Sequence, residues 1–119
     1  MFKSIDNFFV PVEDMDAARQ YYCSRLGMPV KFDFSDRGML GCRIGEGEPA
    51  IILKEKSRFP ETKPTIWFVV EDVKITYQHL REKGVNFLSE PYEIKTGLSV
   101  EFEDPFGNRL GITDYTPHK

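Results

Sequence analysis

Apolar and polar positions fall into two copies of one pattern along this chain. Residues 8–14 read Phe-Phe-Val-Pro-Val-Glu-Asp, and residues 66–72, 58 positions later, read Ile-Trp-Phe-Val-Val-Glu-Asp. Each copy is an apolar strand run closed by the same Val-Glu-Asp triplet, and each is followed by a helical period. Met15, Ala18, Tyr22 and Leu26 share one stripe and predict a helix over 15–26, stopped by Gly27. Val73, Tyr77 and Leu80 predict a second helix over 73–83, with Lys83 in its last turn and Gly84 placed as a left-handed cap. Asp14 or Asp16 can cap the first helix, and Asp72 the second.

Short strands are expected after each helix, at 29–34, 38–44 and 49–54 and then at 86–90, 98–103 and 109–114. Leu98, Val100 and Phe102 alternate with Ser99, Glu101 and Glu103, a clear period of two. Asp36-Arg37-Gly38 and residues 45–49 read as turns. Asp104-Pro105-Phe106-Gly107-Asn108 is a hairpin signal, since Pro pre-sets a turn and Gly or Asn accepts positive φ. Residues 55–64 are polar, contain Pro60 and Pro64, and read as a solvated linker. The order is βαβββ, linker, βαβββ: a single domain over 1–119 built of module 1–54, linker 55–64 and module 65–115. Neither half can bury its sheet alone. The expected fold is therefore α+β, with the two modules forming one eight-stranded curved sheet. Helices would cover the outer face and leave a concave cup on the inner one.

Composition narrows the partners. Apolar residues at 40% and charged residues at 29% describe a globular chain. No apolar run is long enough to span a membrane, and the first residues carry no signal-peptide core. A net charge of -3 without a basic patch argues against nucleic acid. Cys23 and Cys42 have neither metal nor redox spacing, so the chain reads as cytoplasmic with free thiols. Cys42 on a strand is a small buried hydrophobe or, less simply, a nucleophile. There are two histidines, His79 on a helix and His118 next to the end, and a two-histidine metal centre would need both.

Three segments carry a resemblance. They are Val12-Glu13-Asp14-Met15-Asp16-Ala17-Ala18-Arg19-Gln20-Tyr21-Tyr22 with Leu26-Gly27-Met28, then Val70-Glu71-Asp72-Val73 with residues 80–85, and Glu103-Asp104-Pro105-Phe106-Gly107-Asn108-Arg109-Leu110. Over roughly residues 5–115 the chain resembles the vicinal-oxygen-chelate superfamily of glyoxalase I, bleomycin- and fosfomycin-resistance proteins and extradiol dioxygenases. The resemblance implies a cup-shaped ligand site and, commonly, a homodimer. It also implies metal ligands, usually His, Gln or Glu, at equivalent strand positions of the two halves. Those positions fall here on Asn7, Thr65, Gly111 and a residue near Ile52. An amide, a hydroxyl and two side chains without donors make a poor metal set. The expectation is the fold without a metal or other cofactor.

The period of two assigns the faces. Phe8, Val10 and Val12 would face the helices, as would Ile66, Phe68, Val70, Leu98, Val100 and Phe102. Asn7, Phe9, Thr65, Trp67, Ser99 and Glu101 would then line the cup, as an apolar wall with a few polar groups. Trp67 offers a flat face for a planar or cationic ligand, or a ring packed in a core or dimer contact. Glu101 could pair with a ligand cation or act as a general base, or it could sit on a solvated sheet face. Asn7 could contact a ligand or bond to neighbouring backbone. The leading expectation is metal-independent binding of a small aromatic or cationic molecule, resembling the bleomycin-resistance type. The alternative is an enzyme of glyoxalase or dioxygenase type, with a displaced metal site or acid–base chemistry at Glu101. A third reading has the cup serve a partner protein.

Overall fold

Both Val-Glu-Asp triplets end a strand and pass its terminal carboxylate to a helix. Asp14 accepts a hydrogen bond from the Ala17 N–H at 3.1 Å, and Asp72 accepts one from the Ile75 N–H at 3.1 Å. The computed structural model describes residues 1–116; His118 lies outside the described residues. The strands are β1 (Phe2–Val12), β2 (Val30–Phe34), β3 (Met39–Arg43), β4 (Ala50–Glu55) and β5 (Thr65–Val70), then β6 (Asn86–Phe87), β7 (Tyr92–Ile94), β8 (Gly97–Glu103) and β9 (Arg109–Thr113). The helices are α1 (Met15–Arg19), continued by a π-helical segment (Gln20–Arg25), and α2 (Val73–Glu82). The fold is α+β, and each half has its helix directly after its first strand.

Contacts divide the chain into two compact units. The first spans Asp6–Thr65; the second combines Met1–Ile5 with the chain from Ile66 onward. In the first unit the strands lie in the order β2-β3-β4-β1. β1 runs parallel to β4 with Phe9 opposite Ile52, while β3 is antiparallel to both β2 and β4. Its core is Met15, Ala18, Leu40, Cys42 and Leu53, joined by Val10, Val12, Tyr22 and Cys23. In the second unit the order is β5-β9-β8-β6, with β7 also on β8. Its core is Val70, Val73, Tyr77, Leu98, Val100, Phe102 and Ile112. Val10, Val12, Phe68, Val70, Leu98, Val100 and Phe102, expected to face a helix, pack into these cores, and the alternate strand residues form a helix-free face in each unit.

Four features depart from the periodic reading or sharpen it. The first helix loosens after five residues: the Leu26 N–H reaches back to the Tyr21 carbonyl at 2.9 Å, a five-residue step. The wider turn rotates the stripe, so Leu26 ends 50% exposed while Cys23 turns inward onto Cys42. β7 is a ninth strand, with Tyr92 opposite Ser99. Residues 56–64 turn back on the first unit, where Phe59 lays its ring against the Lys54 ammonium. Finally, the Asp-Pro-x-Gly-Asn signature is a turn device. The Asp104 carboxylate accepts from the N–H groups of Phe106 and Asn108 and from the Asn108 amide, at 2.8–2.9 Å.

One buried carboxylate ties the second unit together. Asp114, 1% exposed, accepts from the Val73 N–H at 2.7 Å and from the Leu98 N–H at 2.9 Å. It therefore joins the first residue of α2 to β8 from its place just beyond β9. Burial works most strongly against its charge, but the N–H groups of Leu98 and Val73 together with Thr116 outweigh that and hold its carboxyl below the usual range. Gly97 is required beside it, because a Cβ there would collide with the Asp114 carboxylate and its carbonyl.

Candidate functional site

The helix-free face of the second unit is built from odd-numbered residues of β5, β8 and β9. Ser99 pairs with Thr113, Glu101 with Gly111 and Glu103 with Arg109 across the β8–β9 ladder. The Ser99 and Thr113 hydroxyls are buried and share a hydrogen bond of 2.9 Å. Trp67, 3% exposed, lies flat on Gly111: a Cβ at that glycine would fall inside the indole at Cε3 and Cζ3. Glu101 stands beside this covered glycine, since cross-strand partners on one face are about 5 Å apart.

A row of charge runs along the same face. The Arg109 guanidinium lies 3.7 Å from Glu101 and 3.3 Å from Glu103. Two carboxylates approach the one guanidinium there. Tyr92 borders it from β7. Burial of its hydroxyl and then the Glu101 charge push its pKa up to about 12, so it stays a protonated donor at neutral pH.

The helix-free face of the first unit has a different character. The Lys54 ammonium lies 4.3 Å from the centre of the Phe9 ring and 4.2 Å from that of Phe59, a cation held between two aromatics. Phe32 covers Gly41, its ladder partner, so closely that a Cβ there would meet the ring. Asn7 is 9% exposed; its Nδ2 donates to Asp6 at 2.7 Å, and its buried Oδ1 accepts no hydrogen bond. The Thr65 hydroxyl donates to the Lys63 carbonyl at 2.7 Å.

A model of the Glyoxalase/Bleomycin resistance protein/Dioxygenase superfamily matches residues 4–112. The chain belongs to this superfamily. Uncharacterized protein YetH of Bacillus subtilis (strain 168) is 29% identical over 114 residues, covering 91% of this chain and 95% of YetH. A superfamily member from Vibrio splendidus 12B01 superimposes with a TM-score of 0.71 at 15% identity, covering 96% of this chain and 99% of that one. A Streptomyces coelicolor methylmalonyl-CoA epimerase does so with a TM-score of 0.72 at 18% identity, covering 98% and 99%. At these identities the structural matches show the shared fold.

Superfamily membership raises the question of a metal, and the residues present do not fit one. Position 111, where a carboxylate ligand is expected, is a glycine whose side-chain space holds the Trp67 ring. Ile52 has no donor, and the Thr65 hydroxyl is engaged with backbone. Asn7 Oδ1 alone is a neutral, weak ligand, where a held metal needs three or four. Among the described residues no group of three or more His, Cys, Asp or Glu is arranged to hold a metal ion.

Of the six sequence candidates, Trp67, Ser99 and Glu101 share the helix-free face of the second unit. Asn7, Phe9 and Thr65 belong to the first unit. Arg109, Tyr92 and Lys54 were not among them. Arg109 had a signal in its period-two alternation with Leu110. Lys54 had none, because its partners Phe9 and Phe59 lie far from it in sequence or in a segment that reads as linker.

Proposed function

We propose that this superfamily member binds a small aromatic or cationic molecule without a metal, in the manner of its bleomycin-resistance relatives. The observation that carries the reading is the Trp67 ring seated on Gly111, where the superfamily places a metal-binding carboxylate. The Glu101 carboxylate, 3.7 Å from Arg109 on this face, supplies the attraction for a ligand cation. Phe9 already faces the Lys54 ammonium, which directs a ligand cation to Glu101 rather than to Phe9. Ser99 supplies a polar contact on this face, and the chain acts as a cytoplasmic homodimer.

The test is metal content after incubation with Ni(II), Zn(II), Mn(II), Fe(II) and Mg(II) and desalting, followed by ligand titration. The chain has one tryptophan, so Trp67 emission reports ligand at this face directly. The expected result is less than roughly a tenth of an equivalent of every metal, with Trp67 emission shifted by aromatic cations. Near-stoichiometric retention of one metal overturns the reading.

A second reading, acid–base catalysis at Glu101, is favoured by the protonated Tyr92 hydroxyl on the same face. It requires that Glu101→Gln abolish turnover while leaving the unfolding midpoint unchanged.

A further inference from the structure

The π-helical segment brings together two sulfurs that the sequence spacing gives no reason to pair. Cys23, on that segment, and Cys42, on β3, are 19 positions apart, and their Sγ atoms lie 3.9 Å from each other. They differ in access. Cys42 is fully buried in the first unit's core, whereas Cys23 is half-buried and reachable from outside. Arg19 stands one helical turn before Cys23, and its guanidinium is fixed by Asp33 at 2.8 Å and Ser35 at 3.1 Å. Its charge works against the upward push on the Cys42 thiol, as the smallest of the influences there.

The geometry points to a reversible oxidation site in which a hydroperoxide converts Cys23 and Cys42 into an intramolecular disulfide. In the first step the Cys23 sulfur takes one oxygen from hydrogen peroxide; the O–O bond breaks, a sulfenic acid forms and one water leaves. In the second step the Cys42 sulfur attacks Cys23, the S–O bond breaks, and the departing hydroxide takes the Cys42 proton and leaves as water. Two thiols are oxidised by two electrons and one peroxide is reduced to two waters. Burial and then the neighbouring Cys23 push the Cys42 pKa up to about 12. Attack therefore starts at Cys23, and the second step is the slow one. The sulfurs must approach by roughly 1.9 Å to reach bonding distance. The π turn is the element free to move, since its wide turn already departs from regular helix packing. The disulfide would pin the π turn to β3.

The experiment treats the full chain with a few equivalents of hydrogen peroxide, denatures it, blocks free thiols with N-ethylmaleimide and reads intact mass. Expected is a monomer lighter by two hydrogens with no maleimide added, one linked peptide pair carrying Cys23 and Cys42, and full reversal by dithiothreitol. Thermal unfolding should shift upward on oxidation and return on reduction. Retention of both free thiols overturns the proposal. So does conversion of Cys23 to sulfinic or sulfonic acid in the wild-type chain, or a disulfide formed only between two chains. Cys42→Ala could disturb the core, so Cys23→Ser at the half-buried position is the second variant. It should leave Cys42 unmodified at the same peroxide dose, and rapid oxidation of Cys42 in that variant would also overturn the order of events.

Discussion

Asp14 and Asp72 cap their helices with bonds of the same length, yet one helix opens into a π turn after five residues and the other runs regularly for ten. Local entry is thus the same in the two units, and what holds the start of the helix differs. In the second unit Asp114 adds a buried acceptor to Val73 at the first helical position and carries the same carboxylate to β8. In the first unit the position 58 residues before Asp114 is Lys56. Its side chain leaves for Glu13 at the surface, 3.2 Å away. A cap satisfies an orphan donor, whereas a buried carboxylate shared between a helix and a strand fixes where the helix lies.

The comparison breaks most sharply at Asp114. Asp114→Ala strands two buried N–H groups, each costing about 1–3 kcal/mol, so unfolding in urea should lose about 2–6 kcal/mol. The same carboxylate sets an acid limb. Its folded pKa is lowered, so its stabilisation is complete above the unfolded carboxyl value near ~3.9 and disappears as pH falls through the folded value. Asp114→Asn should flatten that limb, and an unchanged dependence of stability on pH below ~4 would reject the assignment.

Next come the two covered glycines. Gly111→Ala drives a methyl into the buried Trp67 ring and should cost about 1–3 kcal/mol, with a shift in Trp67 emission. Gly41→Ala meets the far edge of the Phe32 ring, on a strand at the end of the sheet order, where the ring can swing away. Its cost should stay below about 1 kcal/mol. Equal costs in calorimetry would show that Trp67 is no more fixed than Phe32.

The smallest contrast is at the caps themselves. Asp14→Ala and Asp72→Ala should each lose about 1 kcal/mol. The Asp14 change should additionally raise amide exchange through residues 15–25, because no second clamp like Asp114 holds that helix start. Exchange that rises equally in α2 after Asp72→Ala would remove the distinction.

Much of this architecture was legible in the residues. The duplicated triplet marked both helix starts, and the alternation of Leu98, Val100 and Phe102 put Ser99 and Glu101 on the opposite face. Asp104 to Asn108 marked the turn between β8 and β9. These signals are local and depend on one period or one motif. The π turn was hidden because Met15, Ala18, Tyr22 and Leu26 fit a regular helix; the inward swing of Cys23 follows from packing on Cys42, 19 positions away. Trp67 on Gly111, Arg109 between Glu101 and Glu103, and Lys54 between two rings depend on strand register and distant partners. The β7 strand was missed because three residues carry no measurable alternation.

The first five residues cluster with the second unit and the next sixty with the first. During synthesis one unit emerges as an uninterrupted segment, while the other holds its first residues in reserve until β5 emerges, where Phe2 meets Phe68 and Lys3 meets Glu71. The contacts that complete it close a loop of some sixty residues, and such distant pairing is the slow kind. Vectorial production and the order of assembly are out of step in this molecule: residues 1–5 wait for partners made some sixty residues after them.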